Sequence, residues 1–137
     1  MAETVSPHSA LIYVMVTMSA VDRTMTDPEL RKIGNIVENL PVFEDFDDDE
    51  LVHEAKACGQ LVSGENGLEK VLDLIAHSLP KKLYDTAYAL AVEVAAADLN
   101  VGQEELRLLQ LLRDRLDLDK LTIAAIERGA RARHATL

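Results

Sequence analysis

The side chains that offer chemistry in this sequence are carboxylates, and they recur at a fixed spacing. Asp22 is followed seven positions later by Glu29, and the same pair returns 76 residues on as Asp98 and Glu105. Each Asp closes an apolar helical stretch and each Glu falls in the first turn of the next helix, so both pairs span a helix-loop-helix corner. Carboxylate oxygens that converge across such a corner suit a hard divalent cation, with Ca²⁺ and Mg²⁺ favoured. If the two corners pack about a pseudo-twofold axis, the four carboxylates share one end of the molecule. Structural roles compete with ligation. Thr26-Asp27-Pro28-Glu29 has the form of a capping box in which Glu29 reaches back to the Thr26 N–H, and Glu105 takes the equivalent place after Gly102. Asp22 and Asp98 can accept loop amides in an Asx-turn, although a carboxylate at a helix C-terminus meets the negative end of the dipole. Glu93, the only charge between Tyr88 and Ala97, is an accessory candidate, with pairing to an Arg or Lys across a groove as its structural alternative.

A second concentration of acid is Glu44, Asp45, Asp47, Asp48, Asp49 and Glu50, beside Phe43 and Phe46. It reads as a solvated helix start or as a docking surface for a basic protein. It is not an EF-hand: Glu50 stands where the loop needs Gly, and Lys56 stands at the bidentate position. The run Asp98, Asn100, Gly102 fails the same test at Leu109. His8, His53, His77 and His134 are scattered, without zinc spacing. Asp73 and His77 are one helical turn apart and read as an exposed pair. The single cysteine, Cys58, excludes an internal disulfide and reads as a small apolar residue. No phosphate-binding Gly loop, nucleophile elbow or dinucleotide fingerprint is present, which points away from an enzyme and from an organic cofactor.

These residues need helices to position them. Apolar spacing is helical almost throughout, which predicts an all-α bundle of about seven helices. The first starts at Ser6-Pro7 and runs to about Val21; the second opens at Thr26 and ends before Pro41. The acidic run leads into a third through Leu51, Ala55 and Cys58. Gly64 and Gly67 bracket the junction to a fourth, about Leu68 to Leu79. The fifth, sixth and seventh cover about Lys82 to Ala97, Gln103 to Leu116 and Asp119 to Arg133. Helices one and five are apolar nearly all round and belong together in the core.

With 137 residues and 48% hydrophobic content the chain fits a single domain, 1–137, with its core at about 8–133. Its net charge of −10 argues against nucleic acid and anionic lipid as partners and favours cations or basic proteins. Residues 1–68 carry thirteen acids and four bases, residues 69–137 eleven and ten, so a cationic ligand feels the first half more. The apolar run Ala10 to Val21 lacks the basic residues of a signal peptide. It is also shorter than the roughly 20 residues of a membrane span, so a cytoplasmic protein without direct membrane insertion is expected.

Offsetting the sequence by 76 lays helices one and two on five and six without a gap. The identities are Val16/Val92, Ala20/Ala96, Asp22/Asp98, Glu29/Glu105, Leu30/Leu106, Arg31/Arg107 and Leu40/Leu116, which reads as a duplicated helical hairpin. The corner motifs, Ala20-Val21-Asp22-Arg23-Thr24-Met25 leading to Glu29-Leu30 and Ala96-Ala97-Asp98-Leu99-Asn100-Val101 leading to Glu105-Leu106, resemble those of the tellurite-resistance TerB family and its TerB-like relatives. The likeness runs from about Ser9 to Leu118, with Arg23 and Leu99 where family members usually carry Gly. It implies a non-enzymatic helical bundle whose acidic clusters bind divalent metal, here through Asp22, Glu29, Asp98 and Glu105. It also implies work in stress-response assemblies, with protein partners that can associate with a membrane.

Overall fold

Nothing charged interrupts the sequence from Ser9 to Ser19, and the fold buries every one of those residues. A helix without a polar face is stable only when surrounded, and this one, α1 (Pro7–Ser19), packs against four others. The Ser6 hydroxyl caps it by accepting the Ser9 N–H at 3.1 Å, with Pro7 in the first turn. The computed structural model describes residues 4–20, 25–97 and 102–137, and among these every element is helical.

The chain continues through α2 (Asp27–Asn39), 3-10 turns at Pro41–Phe43 and Asp48–Glu50, α3 (Leu51–Val62) and α4 (Gly67–Ser78). After a further 3-10 turn at Lys81–Leu83 come α5 (Tyr84–Ala97), α6 (Gln103–Leu116) and α7 (Lys120–Arg133). The seven helices form the expected bundle. α1 packs on α2, α3, α4 and α5, while α5 packs on α1, α6 and α7, so the two least polar helices do meet in the core. The outer helices are amphipathic: α2 buries Ile33 and Val37, and α6 buries Leu108, Leu109, Leu112 and Leu116.

Two junctions show why the breaks fall where they do. Asn66 takes a left-handed φ of 54°, and a Cβ on Gly67 would lie 2.2 Å from the Val62 carbonyl oxygen, so only Gly fits the α3–α4 turn. Asp117, at φ 51°, ends α6 in the same left-handed conformation, and Asp119 restarts the chain by accepting the Thr122 N–H at 2.8 Å. One expectation needs correction. The acidic run is not the first turn of α3; it is spread over a loop and its own 3-10 turn, with the Asp47 carboxylate accepting the Asp49 N–H at 3.0 Å.

Candidate functional site

The corner glutamates sit in capping geometry. The Thr26 N–H donates to Glu29 Oε1 at 2.9 Å, and the Glu29 N–H returns to the Thr26 hydroxyl at 3.4 Å, a complete capping box. At the second corner the Gly102 N–H donates to Glu105 Oε2 at 2.9 Å. Gly102 has no side chain to complete the exchange, so this corner carries half a box. Both glutamates are half-buried. Capping takes one carboxylate oxygen, and a carboxylate offers about four lone-pair sites, so the geometry is compatible with a second role for each. Asp22 and Asp98 lie outside the described residues. Among the described residues, no three His, Cys, Asp or Glu side chains converge as a metal site.

Glu93 takes its structural alternative. Its carboxylate bonds Arg133 at 2.6 Å and His134 at 2.8 Å, both at the end of α7. Partial burial pushes the Glu93 carboxyl up, but the hydrogen bonds and charges of Arg133 and His134 outweigh it and hold the group below its usual range.

Each corner opens onto a groove. The first, about 750 Å³, is floored by Val16, Ala20 and Leu30 and walled by Ala55 and Lys56 of α3. The second, about 480 Å³, is floored by Val92, Ala96 and Leu106 and walled by Ala130 and Arg131 of α7. The floor residues are the pairs that the 76-residue offset matches.

Beside the second groove lies a polar cluster around Tyr88 that the sequence reading did not single out. The fully buried Tyr88 hydroxyl donates to Glu127 Oε2 at 2.5 Å, and Arg113 Nη1 reaches the hydroxyl at 3.1 Å and Glu127 at 3.0 Å. Burial first, then the Glu127 carboxylate, pushes the phenol up to about 12, so it stays protonated as a donor. Three helices are tied through one oxygen. Cys58, also fully buried, lies 3.4 Å from the Thr17 hydroxyl; burial pushes its thiol up to about 11, which leaves it an inert core residue as read from the sequence.

The six acids from Glu44 to Glu50 are all exposed. They are held by an aromatic clamp with no signal in the sequence: His8 stacks on Phe43 at 5.7 Å and meets Phe46 edge-on at 5.5 Å, while its Nε2 lies 2.8 Å from the Val42 carbonyl oxygen. Asp73 does not depend on His77. With Glu69 it pairs with Arg115, joining α4 to α6.

The described residues form seven helices with two acidic corners, an all-α bundle, and no helix among them is long and apolar enough to cross a membrane. Residues 8–128 match the family described as Tellurite resistance protein TerB, and the chain belongs to that family. As a TerB domain it is a non-enzymatic module. Comparison with curated proteins and with solved structures returns no significant match.

Proposed function

We propose that this TerB domain is a duplicated helical module that binds a divalent cation, Ca²⁺ or Mg²⁺, through Asp22, Glu29, Asp98 and Glu105, and that it serves a cytoplasmic stress or tellurite-resistance assembly. The observation that carries the reading is the return of the same acid pair at 76 residues, with both glutamates found at the same step of the following helix and bonded to the same backbone position. Three further features support duplication. The grooves share their floor pairs; α1 packs on α2 and α3 as α5 packs on α6 and α7. An offset of 75 then lays the first part of α3 on the last part of α7, matching Ala55 with Ala130 and Lys56 with Arg131 at the two groove walls.

Glutamine retains an oxygen that can accept the cap N–H but carries no charge, so Glu29→Gln and Glu105→Gln separate ligation from capping. Calorimetric titration of demetallated protein with Ca²⁺ and Mg²⁺ should show saturable binding. At about 100 times the dissociation constant the gain is about 2.7 kcal/mol, a melting shift of about 10 °C. Asp22→Asn, Asp98→Asn and the two Gln variants should remove that gain while leaving the apo fold equally or more stable, because clustered like charges are relieved. Normal metal response in all four variants would sink the reading.

A second reading is favoured by the aromatic clamp: the domain is an acidic adaptor that docks a basic protein without metal. Holding Glu44 to Glu50 on a fixed, exposed segment lowers the ordering cost of an electrostatic contact. Changing Asp45, Asp47, Asp48 and Asp49 to Asn should then abolish capture of basic protein at unchanged folding stability; retained capture would remove it.

A further inference from the structure

The groove at the first corner, about 750 Å³, is of the size that small-molecule sites have. Its floor is apolar: Val16 and Ala20 from α1 and its C-cap, Met25 and Leu30 from the start of α2. Its wall is one row of α3, in which Val52, Lys56, Gln60 and the C-cap residue Ser63 follow each other at one-turn spacing. Two features of this wall are unexplained by the packing of the chain. Lys56 is the one charged residue of the lining, and among the described residues it makes no ion pair. Gly59 stands in the interior of α3, where Gly is less favourable than any residue but Pro, yet a Cβ there would meet nothing within 4 Å, so no close approach demands it. The missing side chain keeps the middle of the groove open.

The groove at the second corner repeats the charge pattern. Of its charged lining residues, Arg113 and Glu127 pair with each other. Arg131, the counterpart of Lys56, is left as a cation with no ion pair among the described residues. An apolar floor facing one uncommitted cation at the same step of the wall therefore occurs twice, and in both grooves the remaining lining charges are absent or cancel. Both grooves also hold exposed aliphatic side chains, Val52 at 49% in the first and Leu106 at 56% in the second. Apolar surface gathered in a concave site beside a single positive charge has the character of a binding site rather than of scattered surface residues.

We propose that the first groove binds a free medium-chain carboxylic acid, with the alkyl chain along the floor and the carboxylate at Lys56. The apolar floor calls for an alkyl chain, whose burial removes both surfaces from water. The carboxylate follows from charge complementarity with the one charge that lines the groove; Glu29 and Glu54 are not part of the lining. A single Lys is a point charge that suits a monovalent head group, whereas phosphate or an acidic peptide is held by forked Arg groups or clusters of cations. Gln60 adds an amide donor one turn along the same wall. From Lys56 to Ser63 the wall rises about 10 Å, room for a chain of medium length. The proposal is independent of metal at the corners.

The test titrates decanoate, decanol and decylamine into ¹⁵N-labelled full chain at neutral pH with chelator present. Decanoate should give saturable amide shifts at Ala20, Leu30, Gly59 and Gln60. It should bind about fivefold more tightly than decanol, the size of one surface charge contact, and decylamine should bind more weakly than either. The net charge of −10 favours the amine at long range, so this order reports the lining alone. Lys56→Gln should bring decanoate to the level of decanol and leave decanol unchanged. Gly59→Leu should fill the groove and abolish binding of both while melting no lower than the parent, because Leu favours the helix and its Cβ meets no other atom. Absence of saturable shifts at millimolar decanoate, decylamine binding as tightly as decanoate, or undiminished decanoate binding by Lys56→Gln or by a folded Gly59→Leu variant would each overturn the site. A parent that is dimeric by light scattering and made monomeric by Gly59→Leu would assign the groove to a second copy of the chain, and would overturn it equally. Should Gly59→Leu fail to fold, the comparison of Lys56→Gln with the parent decides.

Discussion

The first and second halves of the molecule use similar helix arrangements, and at positions aligned by the 76- and 75-residue offsets they carry opposite side-chain chemistry. Where α5, α6 and α7 contribute Tyr88, Arg113 and Glu127, the corresponding residues of α1, α2 and α3 are Ile12, Val37 and Val52. The second half closes with a hydroxyl, a guanidinium and a carboxylate bonded to one another. The first half closes with aliphatic contact; Ile12 and Val37 are buried, and Val52 remains 49% exposed at the wall of the larger groove. Aliphatic side chains pack without direction and leave an open apolar surface, whereas the polar cluster needs one geometry and ties its three helices together. The halves thus offer a roomier apolar groove beside one acidic corner and a narrower, polar-rimmed one beside the other.

That contrast can be broken most forcefully in the first half. Ile12→Ala should cost about 3 kcal/mol, seen as a lower denaturation midpoint at unchanged slope, because the cavity lies in a core that cannot collapse around it. In the second half, Glu127→Val alone should cost about 2 kcal/mol, since it leaves the buried Tyr88 hydroxyl and Arg113 without their acceptor. The triple change Tyr88→Ile, Arg113→Val and Glu127→Val installs the first-half solution and should return stability to within about 1 kcal/mol of the parent. A triple variant as unstable as the single one would show that the two positions are not interchangeable.

The corners give a smaller contrast. Thr26→Ala should cost about 1 kcal/mol, because it removes the hydroxyl half of a complete box. Gly102→Ala should cost about half as much by thermal melting. That corner has no hydroxyl to lose, and the added Cβ, 2.7 Å from Glu105 Oε2, only displaces the carboxylate. The smallest effect concerns acid. Glu93 is held below its ordinary value of 4.5, so its pairing stabilises the fold above that pH, and the contribution is lost as pH falls through the lower folded-state value. Glu93→Gln should flatten the acid limb of stability against pH by less than about 1 kcal/mol. The Thr17–Cys58 contact has no group titrating there, so Thr17→Val should leave that limb's slope unchanged.

Much of the helix plan was readable in advance because its signals are local. α6 runs from Gln103 to Leu116 as its periodicity and flanking Gly require, α2 opens at the Thr26 box, and the charge-free α1 is buried along its length. The capping role of Glu29 and Glu105 was equally local, since donor and acceptor lie three residues apart. The pairing of Glu93 was anticipated in kind, because a lone carboxylate on an apolar helix needs a cation, but not in partner: Arg133 lies 40 residues away. Asp73 looked to His77 one turn along its own helix, and the fold gave it Arg115, 42 residues on. The 3-10 turn at Asp48–Glu50 escaped the reading because six acids resemble the first turn of a helix whether or not the backbone is one.

Residue order therefore specified which segments become helices, which of them are too apolar to stay at the surface, and where each is capped, since those energies are settled within one or two turns of chain. It could not specify that Tyr88 would share its hydroxyl between Arg113 and Glu127, or that His8 would clamp the acidic segment. Those outcomes join groups 25 to 39 residues apart in the Tyr88 cluster and 34 in the His8 bond, and whether such groups meet is decided by how amphipathic helices pack, a sum over many weak contacts that no local pattern encodes.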